Sequence, residues 1–142
     1  MAPVGRGHGC WSGHGEISST WFSAVKRRAN RDRKGMNAVP VRIDITIEDC
    51  WELFKKQDRK CVYTGLVLHF PVNSTHKANR DATASLDRID SSKGYVKGNI
   101  QFVHKHINMM KNTYEEDYFL EMCHLVSKNT KWKKQDDTMK VN

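Results

Sequence analysis

The stretch that decides the fold runs from Ala84 to Asn112: Ala-Ser-Leu-Asp-Arg-Ile-Asp-Ser-Ser-Lys-Gly-Tyr-Val-Lys-Gly-Asn-Ile-Gln-Phe-Val-His-Lys-His-Ile-Asn-Met-Met-Lys-Asn. Ser85 to Ile89 alternates apolar with polar, the period of a half-buried strand. Asp90 to Gly94 is polar and closes on a glycine, which reads as a turn. Asn99 to Val103 fits a second short strand. Helical spacing then takes over: Val103, Ile107 and Met110 fall at i, i+4 and i+7 and make an apolar face. His104, Asn108 and Lys111 share that spacing and make a polar face beside it. Strand, loop, strand and helix thus carry an acid, an arginine, an amide and a lysine towards one point.

With Asp87-Arg88 at the end of the first strand, Asn99 in the middle and Asn108-x-x-Lys111 on the helix, the stretch resembles the HNH, or ββα-metal, nuclease family. Leu86 to Asn112 matches that pattern without a gap. The flank from Ile17 to Leu68, with Trp21, Ala29, Trp51, Gln57 and Cys61-Val-Tyr-Thr-Gly65, is similar to small stand-alone HNH proteins of phage and bacterial type. The resemblance implies an α+β fold: two short antiparallel strands plus a helix, packed against flanking N- and C-terminal helices. It implies a DNA endonuclease that hydrolyses phosphodiester bonds, by nicking or by cutting both strands, with one divalent ion. Asp87 and Asn108 would hold that ion through hard oxygens, which suit Mg2+ or Mn2+. Asn99 would tie the loop across and fix the strand that presents Asp87. Lys111 would meet phosphate or the acid of the metal site. An isolated strand acid or helix amide is more often a surface group; their joint occurrence with Asn99 and Lys111 favours the site.

Position 88 departs from the family, which usually has a histidine there as general base. A neutral imidazole takes a proton near neutral pH, and a guanidinium does not. A minority of these nucleases carry arginine there and recruit a base from the helix. Arg88 would then clamp the scissile phosphate, with His104 the first candidate base and Tyr95 and His106 behind it. A structural His104 is an equally good reading. A second departure concerns zinc. Many relatives hold one with two Cys-x-x-Cys pairs, but Thr64, His104 and Ile107 stand where three of those cysteines would be. Two ligands, Cys61 and His104, do not close a tetrahedral site, so no structural zinc is expected. Val62, Leu66, Leu68, Phe102 and Val103 are expected to fill that space.

Outward from the central stretch, residues 18–34 read as a helix capped by Ser18, Ser19 or Thr20, with Trp21 and Val25 inward and Gly35 as its stop. Its other side carries Lys26, Arg27, Arg31, Arg33 and Lys34, an unusually one-signed surface and a candidate contact for the phosphate backbone. Lys105, Arg88 and Lys111 join that DNA-binding set. Val39 to Ile45 suggests an extended edge segment. Thr46 with Asp49 reads as a capping box opening a helix, Ile47 to Gln57, whose Cys50, Trp51 and Phe54 pack inward. Residues 69–83 read as a long loop in which His76, Lys77 and Arg80 could reach DNA. Tyr114 to Val126 reads as a helix with Tyr118, Met122, Leu125 and Val126 towards the core and Phe119 and Cys123 alongside.

Composition sets the outer bounds. The 142 residues suit one domain, divided here into a flexible Gly/His-rich segment 1–15, a nuclease domain 16–127 and a basic tail 128–142. In the first segment His8, Cys10 and His14 could be metal ligands, although glycine supplies no scaffold to fix them. A net charge of +8 exceeds what solubility requires and points to a polyanion; the resemblance implies that it is double-stranded DNA. No apolar run approaches a membrane span or a signal-peptide core. Four cysteines without paired spacing suggest reduced thiols in a cytoplasmic setting, and the resemblance implies a bacterial or phage-infected cell. No dimer surface is legible.

Overall fold

A computed structural model describes residues 12–31, 41–72 and 76–132. The fold is α+β. Among the described residues the order is β1 (Gly13–His14), β2 (Ile17–Ser18), α1 (Ser19–Arg31), β3 (Ile43–Asp44), α2 (Ile47–Lys56), α3 (His76–Asp81), β4 (Ala84–Arg88), β5 (Tyr95–Val96), β6 (Ile100–His104), α4 (Lys105–Lys111) and α5 (Glu116–Asn129). The strands form three separate pairs: β1 with β2, β3 with β5, and β4 with β6. Ordered structure extends past both expected domain limits, since β1 precedes residue 16 and α5 passes residue 127.

The central pair is antiparallel, with Ala84 opposite His104, Asp87 opposite Gln101 and Arg88 opposite Ile100. Its outer edge is closed from α2. The Gln57 side chain donates to the Phe102 carbonyl at 2.9 Å and accepts from the Phe102 N–H at 2.8 Å. A side-chain amide therefore completes the ladder where a third strand would sit. The loop between β4 and β6 is sewn to β3 by a bond from the Tyr95 N–H to the Arg42 carbonyl at 2.7 Å. Gly94 permits that approach, because a Cβ there would stand 2.3 Å from the Arg42 oxygen.

The core lies between α1, α2 and the central pair. Phe54 touches Phe70 at 4.7 Å and Phe102 at 5.1 Å between ring centres, both edge-on, and Trp21 closes on Phe70 at 5.0 Å. These are favoured geometries for aromatic pairs. Thr46 and Asp49 form the expected capping box, and Cys50, Trp51 and Phe54 are buried. Ser18 caps α1 by accepting from the Trp21 N–H at 3.0 Å. Gly15 lies flat against Trp51, whose ring leaves no room for a Cβ.

Several expectations are corrected. In α1 Val25 is buried and the partly buried Trp21 packs on the core, as expected, but Phe22 and Ala29 are buried as well. The segment expected to be a structureless loop contains α3. Val62 and Leu66 are 46% and 56% exposed, so of the five residues expected to replace a zinc site only Leu68, Phe102 and Val103 are core. The turn at Cys61–Gly65 is held by the backbone, Gly65 N–H to the Cys61 carbonyl at 2.9 Å, so it needs no buried side chains on its outer face. Met110, expected inward, is 60% exposed, whereas Lys111 is fully buried. In α5 Phe119, expected alongside, is the buried residue; Tyr118, Met122, Leu125 and Val126 are exposed, and no described element packs over them. Arg33, Lys34, His8 and Cys10 lie outside the described residues. No described helix is long and apolar enough to cross a membrane.

Candidate active-site groove

Asp87 and Gln101 face each other across β4 and β6, and α4 lies over them. Asp87 is buried and Lys111 reaches it from the last turn of α4, with Nζ 3.3 Å from Oδ2 and 3.2 Å from the Arg88 carbonyl oxygen. Gln101 donates from Nε2 to Asp87 Oδ2 at 3.0 Å and to the Tyr63 hydroxyl at 2.8 Å. Tyr63 in turn donates to Glu116 Oε1 at 2.6 Å. The result is a chain of side chains, Lys111–Asp87–Gln101–Tyr63–Glu116, that begins on α4, crosses the central pair and ends on the first turn of α5. Burial, then acceptance by Glu116, pushes the Tyr63 phenol well above its ordinary value, so it stays protonated as a donor.

Asn108 sits one turn before Lys111 on the same face of α4. Its amide NH2 donates to Ser85 Oγ at 2.7 Å and, more weakly, to the Leu86 carbonyl at 3.4 Å. Pinning the nitrogen to β4 turns Oδ1 the other way, and among the described residues Oδ1 accepts no hydrogen bond. Asp87 and Asn108 line one open groove of about 810 Å³, together with Ser85, Arg88, Tyr95, Lys93, Lys105 and Arg28. A smaller neighbouring cavity of about 330 Å³ shares Arg28, Leu86, Tyr95 and Asn108 and adds Arg31. Four cations and one carboxylate make the groove attractive to anions.

The loop that frames the groove is held by two side chains. Asn99 donates from Nδ2 to the carbonyls of Asp90 and Gly94, at 3.0 and 2.9 Å, and accepts the Asp90 N–H on Oδ1 at 2.9 Å. Arg88 donates from Nη1 to the carbonyls of Ser91 and Lys93, at 3.0 and 3.2 Å, and lies over the Tyr95 ring at 5.3 Å. Its Nε and Nη2 make no hydrogen bond among the described residues. Asp90 closes the turn by accepting from the Ser92 hydroxyl and N–H, which lowers its carboxyl below the ordinary range.

His104 is placed elsewhere. It lies at the Ala84 end of the ladder, three residues from Asp87, or about 10 Å along a strand. It is the N-cap of α4, its Nδ1 accepting the His106 N–H at 3.1 Å, and it does not line the groove. Burial, then the neighbouring His106 and Lys105, lowers its pKa, so it stays neutral. His106 is exposed and also outside the groove. Of the expected DNA contacts on α1, Lys26 folds back over the Phe22 ring at 4.8 Å, Arg27 is exposed, and Arg31 lines the smaller cavity. Arg28 lines both cavities and was not among the expected contacts. Its helical position beside Val25 reads as inward, but the long stem lets the head emerge into the groove. Lys105 lines the groove while donating to the Arg80 carbonyl at 2.7 Å. Gln101 and Tyr63 were not anticipated either. The only sequence signal for Gln101 was a polar residue opposite Asp87 in an otherwise apolar strand.

A divalent ion suits this donor set. A carboxylate offers about four lone-pair directions, and two oxygens meeting two donors leave Asp87 further capacity towards the groove. Asn108 Oδ1 is uncommitted. Among the described residues no three His, Cys, Asp or Glu side chains cluster, so any ion here would keep most of its shell for water or phosphate oxygen, as Mg2+ commonly does. No family model, curated protein or solved structure matches the chain.

Proposed function

We propose that the chain is a metal-dependent DNA endonuclease of the HNH, ββα-metal type, and that Asp87 and Asn108 hold its divalent ion, Mg2+ or Mn2+. The observation that carries this reading is the meeting of a strand carboxylate and an uncommitted helix amide oxygen in one cationic groove. When bound, the ion supplies the positive charge that phosphodiester cleavage needs on the phosphate and the departing oxygen. Lys111 and Gln101 fix the Asp87 carboxylate, and Ser85 fixes Asn108. Arg88, held by the loop carbonyls, offers Nε and Nη2 to a phosphate in the groove. Arg28, Arg31, Lys93 and Lys105 receive the flanking backbone. Tyr95, which lines the groove, replaces His104 as the candidate base and would take the proton of the attacking water in its phenolate form, because His104 and His106 do not line the groove.

The test is conversion of supercoiled plasmid to open-circular or linear form with Mg2+ or Mn2+. Asn108→Ala, which leaves the Lys111–Asp87 pair intact, should abolish cutting and spare DNA binding. Asp87→Ala should do the same where the variant folds. No cutting by the parent chain on several substrates would overturn the reading.

Arg88 in place of a base and His104 outside the groove favour a second reading, a DNA-binding module without hydrolysis. Binding with no metal-dependent cleavage, and cleavage gained by Arg88→His, would select it.

A further inference from the structure

Among the described residues, helix α5 is fastened only at its start. Phe119 meets Tyr63 edge-on at 5.7 Å and Glu116 accepts from the Tyr63 hydroxyl, while the remaining residues of the helix are exposed. Tyr118, Met122 and Leu125 recur at i, i+4 and i+7 and are 47%, 42% and 47% exposed, with Val126 beside them at 59%. That recurrence is the seam spacing of a two-helix pair. A contiguous apolar strip rimmed by charge marks an association surface.

The charges identify the occupant. From Glu115 to Lys131 there are four acids (Glu115, Glu116, Asp117, Glu121) and two lysines (Lys128, Lys131), an acidic helix in a chain of net charge +8. Nucleic acid is therefore disfavoured on this face. The acids crowd the N-terminal half and the lysines the C-terminal end. Turned antiparallel against itself, the helix sets its acidic turn beside the lysines of the other copy, brings Tyr118 to Leu125 and Val126, and places Met122 near the two-fold axis. Opposed macrodipoles add to the match, and an isologous contact needs this self-complementarity.

We infer that α5 is a homodimerisation element that pairs antiparallel with α5 of a second copy. One helix per copy is a small interface, so the association is reversible, in the micromolar class. This inference stands apart from the endonuclease reading, because it uses no groove residue.

The experiment is sedimentation velocity of the full chain over a concentration series. Monomer and dimer are expected to exchange with concentration. Leu125→Glu should raise the dissociation constant by about tenfold or more, with unchanged circular dichroism, since the side chain is half-exposed. Leu120→Glu, on the opposite side of the helix, should leave it unchanged. Lys128→Glu should weaken the dimer and Asp117→Lys in the same chain should restore it. A monomer at every concentration up to about 100 µM overturns the inference. So does a dimer that ignores Leu125→Glu, or one lost equally in Leu120→Glu. A monomeric chain whose DNA affinity falls with Leu125→Glu overturns it too and assigns the strip to nucleic acid.

Discussion

The buried pair of Lys111 and Asp87 is the most constrained feature at the level of single residues. Lysine is almost never fully buried unless paired, and here its ammonium has one carboxylate and one backbone carbonyl as partners. Removing one member strands the other charge, at a typical cost of about 3–5 kcal/mol. Lys111→Met is therefore expected to lower the urea midpoint steeply, and Asp87→Leu in the same chain to recover much of the loss. A double-mutant cycle in urea checks this; additive costs would show the pair uncoupled. Burial also separates the thiols. Desolvation pushes Cys50 up to about 12, whereas Cys123 is exposed. Maleimide labelling of the folded chain at neutral pH, read by peptide mass, should modify Cys123 and spare Cys50. The pairing of Asp87 with Lys111 was partly legible, since the helical spacing puts Asn108 and Lys111 on one face. The burial of Lys111 was not. Its neighbour Met110 is the residue that the periodicity places inward, and it is exposed.

Elements with strong local signals agree with their sequences. The Thr46 capping box and the inward face of α2 are set by chemistry within a few residues; β4 forms where its alternation predicts a strand, but the adjacent Leu86 and Asp87 are both buried, so one face of the period is not kept. Elements that depend on distant partners were less legible. The Gln57 amide that completes β6 is 45 positions from its partner in the chain, and nothing local announces it. The apolar face of α5 was legible as a face, but what covers it is not encoded in its own period. The α4 cap gives an element-level prediction. His104 must be neutral to accept from the His106 N–H, and its pKa is depressed, with burial the leading cause. Its contribution is thus present above the ordinary histidine range and is lost as pH falls through it. The melting temperature should drop between about pH 7 and 5, and less so in His104→Asn, which keeps an N-cap acceptor. Equal pH dependence in both chains would show that the cap carries no linkage.

At the scale of the whole molecule, Arg28, Arg31, Arg88, Lys93 and Lys105 line the two neighbouring cavities. Arg28 belongs to both cavities, while Lys26 is drawn back over Phe22. If the groove receives a phosphate backbone, Arg28→Ala should weaken binding to a duplex and reduce the slope of log affinity against log salt by about one. Lys26→Ala should change both less. Fluorescence anisotropy of a labelled duplex over a salt series separates them; equal losses would mean that the basic side of α1 acts as a diffuse cloud with no seat in the groove. Net charge pointed to a polyanion, but it could not say which of the arginines reaches the site.

The relay from Glu116 through Tyr63 and Gln101 to Asp87 has a consequence for communication across the molecule. The first turn of α5 and the groove acid share one set of protons and lone pairs. Were the first turn of α5 displaced, these hydrogen bonds offer a route by which the shift would reach the carboxylate. If a partner on the first turn of α5 shifted that chain of bonds and so changed the affinity of the acid for a ligand, the ligand would change the affinity for the partner by the same factor, because such coupling is reciprocal.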